Sequence, residues 1–143
     1  MINVSTPMFD VIKSDLAELD EGLAGAVASS FELVTEVGAH LVSSGGKRIR
    51  PALCLLAARG GLKFDLKKVL PMAEALELIH TASLVHDDVL DEADTRRGHA
   101  TANAKWNNQV AILSGDYIFA RAFGLIADSD YGAYVSKRLA ELV

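Results

Sequence analysis

The longest helical pattern of the sequence lies at residues 68–92 and reads KVLPMAEALELIHTASLVHDDVLDE. Apolar side chains lie on both sides of its second half, at Leu84, Val85, Val89 and Leu90. A helix that is apolar all round packs inside a protein rather than on its surface. Asp65 is expected to cap this helix, and Pro71 falls near its first turn, where proline is tolerated. The segment therefore predicts a buried helix.

The rest of the chain also shows helical spacing, without the alternation that indicates strands. Thr6 and Pro7 predict a helix start, whereas glycine pairs at 45–46 and 60–61 predict helix ends. Glycine, threonine and asparagine predict a loop at 93–105. The predicted helices cover about residues 6–20, 22–43, 51–60, 68–92, 106–127 and 131–143. We therefore predict an all-α bundle of about six helices in one domain.

Composition excludes several classes of protein. The chain has 143 residues, a net charge of −5 and no long basic stripe, so nucleic acid is not an expected partner. Its mean hydropathy is +0.23, but charges interrupt the apolar stretches, and no transmembrane segment is expected. The N-terminus lacks the pattern of a signal peptide. A single cysteine, Cys54, gives no disulfide framework. We expect a cytoplasmic protein.

Asp87 and Asp91 are the residues of the long helix that indicate chemistry. They are four apart and lie one above the other, on the stripe that also carries His80. Asp88 lies about a hundred degrees away. Like charges near the end of a helix repel, and burial strengthens the repulsion. A Mg²⁺ ion would compensate, since it prefers carboxylate oxygens and completes its shell with water and phosphate oxygens. The alternative is a pair of solvated acids.

Two basic segments are candidate phosphate sites. Arg96-Arg97-Gly98 carries adjacent guanidinium groups, which suit bidentate contacts with phosphate and can point in different directions. The alternative is a salt bridge to Asp91, Glu92 or Asp94. The second segment reads GGKRIRP at 45–51, where Lys47 and Arg50 share a face if the segment is helical. The alternative there is a basic loop between helices.

His80 is a candidate site residue, whereas His86 is not. His80 lies about two turns before Asp87 on the same stripe, so it is expected to face the same cavity. A lone histidine on an apolar face is also compatible with a core residue. His86 adjoins the aspartates but need not share their face, so it is not interpreted as a ligand.

Three motifs in order resemble the trans-prenyl diphosphate synthases, also called polyprenyl synthetases. They are GGKRIRP at 45–51, LIHTASLVHDDVLDEADTRRG at 78–98 and GDYIFARAF at 115–123. The resemblance implies an all-α fold of the isoprenoid synthase type around a deep cavity. It also implies Mg²⁺-dependent condensation of an allylic diphosphate with isopentenyl diphosphate, with release of pyrophosphate.

The resemblance implies a role for each matching residue. Asp87, Asp88 and Asp91 form the first aspartate-rich, metal-binding motif, with Asp87 and Asp91 at the ligating positions. Arg96 matches the arginine that contacts the allylic diphosphate. Asp87, Asp91 and Arg96 together are the implied catalytic residues. The isopentenyl diphosphate pocket is matched by Lys47, Arg50, His80 and Arg97.

Product length is also suggested by the resemblance. In this family, bulky residues just before the first aspartate stop elongation, and here Ala82 and Ser83 are small. The motif also lacks the insertion between its aspartates that many short-chain bacterial members carry. Both features resemble medium- or long-chain synthases.

One departure from the family is the missing second aspartate-rich motif; Asp116, Asp128 and Asp130 are isolated. We therefore expect residues 1–143 to be the N-terminal part of one synthase domain, inactive alone, which associates with itself as a dimer or with a partner chain. The alternative is a non-catalytic subunit of a heteromeric synthase. A terpene cyclase is disfavoured because it needs no second diphosphate pocket.

Overall fold

The computed structural model describes residues 7–44 and 46–141, with side chains described from residue 9 onward. The helices are α1 (Pro7–Asp10), α2 (Lys13–Ala26), α3 (Glu32–Ser43), α4 (Ile49–Arg59), α5 (Leu66–Leu90), α6 (Ala102–Lys105), α7 (Asn108–Ala127) and α8 (Gly132–Ala140). Two short strands, β1 (Thr95–Arg96) and β2 (His99–Ala100), lie between α5 and α6. The all-α prediction is confirmed, with one small hairpin that it did not include.

Helix α5 is the centre of the domain. Asp65 caps it by accepting a hydrogen bond from the Lys67 backbone amide at 3.1 Å, as predicted. The chain leaves the helix through Glu92, whose φ of 51° lies in the left-handed region and stops helical continuation. α5 packs against α2, α4 and α7. Fully buried side chains from all four helices form the core, among them Leu19, Leu23, Leu55, Leu78, Ile118 and Ile126.

The hairpin that follows α5 positions the two adjacent arginines. Arg96 pairs with His99 in the antiparallel register, and the two-residue turn consists of Arg97 and Gly98. Both turn residues have positive φ, 54° and 82°, which is the type I′ geometry that joins closely paired strands. The strands are only two residues long, so no alternation existed in the sequence to reveal them.

The prediction of one helix over 22–43 is wrong, because α2 ends at Ala26 and α3 begins at Glu32. Side chains of the connecting loop replace helical hydrogen bonds. The Ser29 amide donates to Thr35 Oγ1 at 2.9 Å, and the Thr35 hydroxyl donates to the Ser29 carbonyl at 3.1 Å. Such serine and threonine side chains compete with helix formation.

Smaller boundary errors occur elsewhere. The predicted helix over 6–20 is interrupted after Asp10, and α7 starts at Asn108 rather than at 106. The predicted loop at 93–105 contains β1, β2 and α6. Thr6, Gly45 and residues 142–143, on which parts of the predictions rest, lie outside the described residues.

Helix α7 is the one described helix that is long and apolar enough to cross a membrane by length and composition. Only 33% of that apolar window is buried within the chain. Asp116 and Arg121 lie within the helix, and its buried side packs on α5. The helix is therefore weak support for a membrane span.

Candidate active site

Four residues predicted to bind one diphosphate line a single open cavity. Lys47 reaches it from just before α4, Arg50 from the first turn of α4, His80 from α5 and Arg97 from the hairpin turn. The cavity has a volume of about 540 Å³, and we call it the basic pocket. Lys47 precedes α4, so the helical turn on which the predicted common face of Lys47 and Arg50 depended is not formed at Lys47. The two side chains nevertheless line the same cavity.

Gly46 brings the backbone close to the charged side chains of this pocket. A Cβ atom at position 46 would lie 3.1 Å from Arg97 Nη1 and 3.2 Å from Glu77 Oε1. Any larger residue would therefore push against these two groups. The glycine thus allows the backbone to come close to residues that line the pocket.

Arg48, the remaining basic residue of the GGKRIRP segment, is more buried than Lys47 and Arg50. Arg48 adopts the left-handed conformation, with φ 46° and ψ 31°, immediately before α4. Its side chain is largely buried and forms an ion pair with Glu77 at 2.9 Å. Glu77 is almost completely buried on α5. Glu77 was not singled out from the sequence, because its burial and its need for a partner become visible only in the fold.

The electrostatic environment of His80 is dominated by cations. Partial burial lowers the pKa of its imidazole, and the charges of Arg50, Arg97 and Arg96 lower it further, against an opposing effect of Glu77. The neutral imidazole is therefore favoured in the free protein. An anion bound in the pocket would act in the opposite direction.

The buried member of the aspartate motif is Asp88, and its partner is Arg96. The Arg96 Nε atom donates to Asp88 Oδ1 at 2.8 Å, and the Asp88 side chain is only 7% exposed. Both residues line a small inner cavity of about 50 Å³ together with His80 and Leu84. The partner of Arg96 is therefore Asp88, which was not among the alternatives considered from sequence, Asp91, Glu92 and Asp94. Its bond uses Nε, so Arg96 keeps its terminal amino groups as donors.

Asp87 and Asp91 are exposed at the end of α5, and the expectation that they are buried is wrong for this chain. Within residues 7–44 and 46–141, no group of three or more His, Cys, Asp or Glu side chains could hold a metal ion. Two accessible carboxylates nevertheless fit Mg²⁺, which commonly takes one or two carboxylates and completes its shell with water and phosphate oxygens. Asp88 fits less well because its carboxylate is held by Arg96. The roles of Asp87, Asp88 and Asp91 as metal ligands remain a prediction.

Two histidines that sequence reasoning did not assign fix the surroundings of the site. His86 points at α7, where Nε2 lies 3.4 Å from Asp116 Oδ1 and a Cβ on Gly115 would collide with its ring. His40 on α3 contacts the carbonyl oxygen of Ala100 through Nε2 at 2.8 Å and thereby ties the hairpin to the bundle. Neither contact had a local signal in the sequence, because both join segments far apart in the chain.

The two predicted product-length residues lie differently on α5. Ala82 is fully buried within the core. Ser83 is half-buried, and its hydroxyl donates to the His80 carbonyl at 2.9 Å. Neither residue lines the basic pocket or the inner cavity, and their effect on product length remains a prediction.

Comparison with known proteins gives a consistent family. Residues 31–143 match the model of the family described as Polyprenyl synthetase. The chain is 48% identical, over 83% of its length, to an all-trans-nonaprenyl-diphosphate synthase (geranyl-diphosphate specific) of Rhodobacter capsulatus. It is 50% identical, over 85% of its length, to heptaprenyl diphosphate synthase component 2 of Geobacillus stearothermophilus. It spans only 37% and 38% of these two relatives.

A solved structure supports the same assignment. The polyprenyl synthase from Caulobacter crescentus, described as complexed with calcium and isoprenyl diphosphate, superimposes with a TM-score of 0.81 at 32% identity. The match covers 92% of this chain and 40% of that one. Fold, motifs and sequence identity agree, and the chain belongs to the polyprenyl synthetase family.

Proposed function

We propose that this chain supplies the first half of the active site of a polyprenyl diphosphate synthase. The reaction is the condensation of an allylic diphosphate with isopentenyl diphosphate, with release of pyrophosphate. The observation that carries the proposal is the convergence of Lys47, Arg50, His80 and Arg97 on one open cavity. These residues come from three segments of the chain, so their convergence does not follow from local sequence.

The basic pocket is proposed to hold isopentenyl diphosphate. Lys47 offers a compact ammonium charge, whereas Arg50 and Arg97 offer planar donors suited to phosphate oxygens. Fixing the diphosphate orients the attached double bond toward the second substrate, and much of the catalysis is this positioning. An apolar surrounding formed by residues such as Leu84 and Val85 would keep water away from a carbocation.

The allylic diphosphate is proposed to bind beside the end of α5. The terminal amino groups of Arg96 would contact its leaving group while Asp88 holds the guanidinium in place. Asp87 and Asp91 would bind Mg²⁺, which neutralises charge developing on the departing pyrophosphate. The Caulobacter relative described with calcium and isoprenyl diphosphate supports a divalent cation and a diphosphate in this family.

Assembly and location belong to the same proposal. Large apolar side chains of α5 and α7 are exposed, with Leu90 81% and Leu113 67% accessible. Apolar surface of this kind favours association, either as a dimer or with another chain. The name of the Geobacillus relative, component 2, supports a heteromeric assembly as the alternative. A cytoplasmic location is part of this proposal.

The direct test is incubation with labelled isopentenyl diphosphate, several allylic primers and Mg²⁺, followed by sizing of the products. The chain alone is expected to bind isopentenyl diphosphate without forming product, because no second aspartate-rich motif is present. An active protein that contains this segment is expected to form medium or long chains. Absence of labelled prenyl products from such a protein, with every primer, would refute the assignment and favour a non-catalytic subunit.

A further inference from the structure

Within the basic pocket, Arg48 is distinguished by how completely its guanidinium is used. Nε donates to Asp20 Oδ1 at 3.0 Å, Nη1 to Glu77 Oε1 at 2.9 Å and Nη2 to the Val42 carbonyl at 3.1 Å. These partners belong to α2, α5 and α3, respectively. The side chain is 17% exposed. All three nitrogens have a protein partner, so Arg48 is poorly placed to bind a diphosphate itself.

The backbone of Arg48 forms a turn that its own side chain stabilises. Its left-handed conformation lies between Lys47 and the first residue of α4, Ile49. A residue with a Cβ rarely adopts this conformation unless surrounding contacts hold it there. Here the contacts are the hydrogen bonds of its own side chain. The turn determines where Lys47 and Arg50 lie relative to α5, and both line the basic pocket.

Glu77 pairs with this turn and lies near the hairpin. Its Oε1 accepts from Arg48 and lies 3.2 Å from the position of a Cβ on Gly46, next to Arg97 Nη1. Glu77 is 5% exposed, so it is a buried carboxylate at the edge of a cavity rich in cations. For binding an anion, its charge alone is unfavourable. Its position is explained if it fixes the cations rather than contacting the ligand.

We propose that Arg48 and Glu77 are positioning residues that hold Lys47 and Arg50 in place for a diphosphate before it binds. This inference rests on the proposed function, because isopentenyl diphosphate is the ligand assigned to the pocket. Preformed binding groups lose less conformational freedom on binding, which raises affinity. Arg48 and Glu77 act through their neighbours and contact no substrate.

The sign of the effect of Glu77→Gln separates positioning from simple charge. If Glu77 acts only through its charge, neutralising it strengthens anion binding. If it acts by fixing Arg48, the same substitution weakens anion binding. We expect the dissociation constant of isopentenyl diphosphate to rise about tenfold, by analogy with the loss of groups that orient metal ligands. Asp20→Asn, at the exposed end of the network, is expected to produce a smaller rise.

Asp15→Asn is the matched control. Asp15 is also a buried carboxylate paired with an arginine, Arg59, through bonds of 2.7 Å, but it does not line the basic pocket. Calorimetric titration of the 143-residue chain with isopentenyl diphosphate is the measurement, with helix content checked by circular dichroism. Asp15→Asn is expected to leave the dissociation constant unchanged.

Each outcome decides the inference. Weaker binding by Glu77→Gln and Asp20→Asn, with unchanged binding by Asp15→Asn, supports it. Unchanged or tighter binding by Glu77→Gln, or equal weakening by Asp15→Asn, overturns it. If Glu77→Gln does not fold, the direction observed for Asp20→Asn decides. Failure of the unaltered chain to bind isopentenyl diphosphate would instead overturn the assigned ligand, and this inference with it.

Discussion

The basic pocket and the acidic end of α5 differ in how far the chain organises them. In the pocket, a left-handed turn, a hairpin turn and the ion pair of Arg48 with Glu77 fix the surroundings of the cations. At the end of α5, Asp87 and Asp91 are exposed, and the described part of the chain assembles no metal cluster around them. Under the proposed function, the difference predicts that the diphosphate site is preformed, whereas the Mg²⁺ site would need oxygen atoms from the bound diphosphate and water.

The largest expected effect concerns the acidic end. In an active protein that contains this segment, Asp87→Asn is expected to lower kcat by about 10²–10³-fold, the size typical for loss of one electrostatic stabiliser of a transition state. The affinity for isopentenyl diphosphate is expected to stay the same, because its pocket does not include Asp87. Steady-state kinetics of each substrate measures both quantities.

Asp94→Asn is the control for that prediction. Asp94 is another exposed carboxylate, in the loop after α5. It is expected to retain full kcat. An equal loss in both variants would mean that general negative charge, rather than the specific position of Asp87, supports the reaction.

The next largest effect is on stability. Arg96→Met removes the partner of the buried Asp88 and is expected to reduce the free energy of unfolding by about 1–3 kcal/mol. The loss is limited because the Arg96 side chain is 37% exposed and water reaches the pair. Chemical denaturation measures it. Lys68→Met, which breaks the exposed pair with Asp130, should leave the unfolding midpoint unchanged; a comparable fall would contradict the buried role of Asp88.

A third effect is on product length. Ala82→Phe in an active protein that contains this segment is expected to shorten the product, as the resemblance to the family implies for a bulky side chain before the first aspartate. Ala82 is fully buried, so Phe also displaces its neighbours. Ala75→Phe crowds the same helix at a residue that is 1% exposed. It should leave the product length unchanged on thin-layer chromatography. Unchanged length in Ala82→Phe would defeat the prediction.

The smallest expected effect is the uptake of a proton by His80 when the diphosphate binds. The pKa of free His80 lies below its ordinary value of about 6.5, because of burial and neighbouring cations. A bound diphosphate raises it, so binding near pH 6 is expected to take up a fraction of a proton. Calorimetry in buffers of different ionisation enthalpy measures this uptake. His80→Gln should abolish it; equal uptake in that variant would assign the proton to another group.

The same shift has a consequence for stability without ligand. A lowered pKa in the folded state means that the unfolded chain binds the His80 proton more tightly. The contribution of neutral His80 to the free energy of unfolding is therefore fully present above about pH 6.5. It is lost as the pH falls from there through the lower pKa of the folded state.

Residue patterns along single helices predicted much of the architecture. They could not predict contacts between segments that are far apart in the sequence. Asp65 caps α5 as predicted, and the predicted bounds of 68–92 lie within two residues of the observed Leu66–Leu90. The burial of Asp88 between the exposed Asp87 and Asp91 agrees with its roughly hundred-degree offset on the helix. The pairing of Asp88 with Arg96 requires the hairpin, whose strands are too short to give a periodic signal. The Arg48–Glu77 pair joins residues 29 positions apart, and only the folded chain brings them together.

The most direct test of the contrast between the two regions is an NMR titration of the isotope-labelled chain with isopentenyl diphosphate, first without and then with Mg²⁺. Without metal, the amide signals of residues 46–50 and 96–98 are expected to shift while those of 87–91 stay unchanged. Addition of Mg²⁺ with an allylic diphosphate should then shift 87–91. Shifts at 87–91 without metal, or none at 46–50, would contradict a preformed basic pocket.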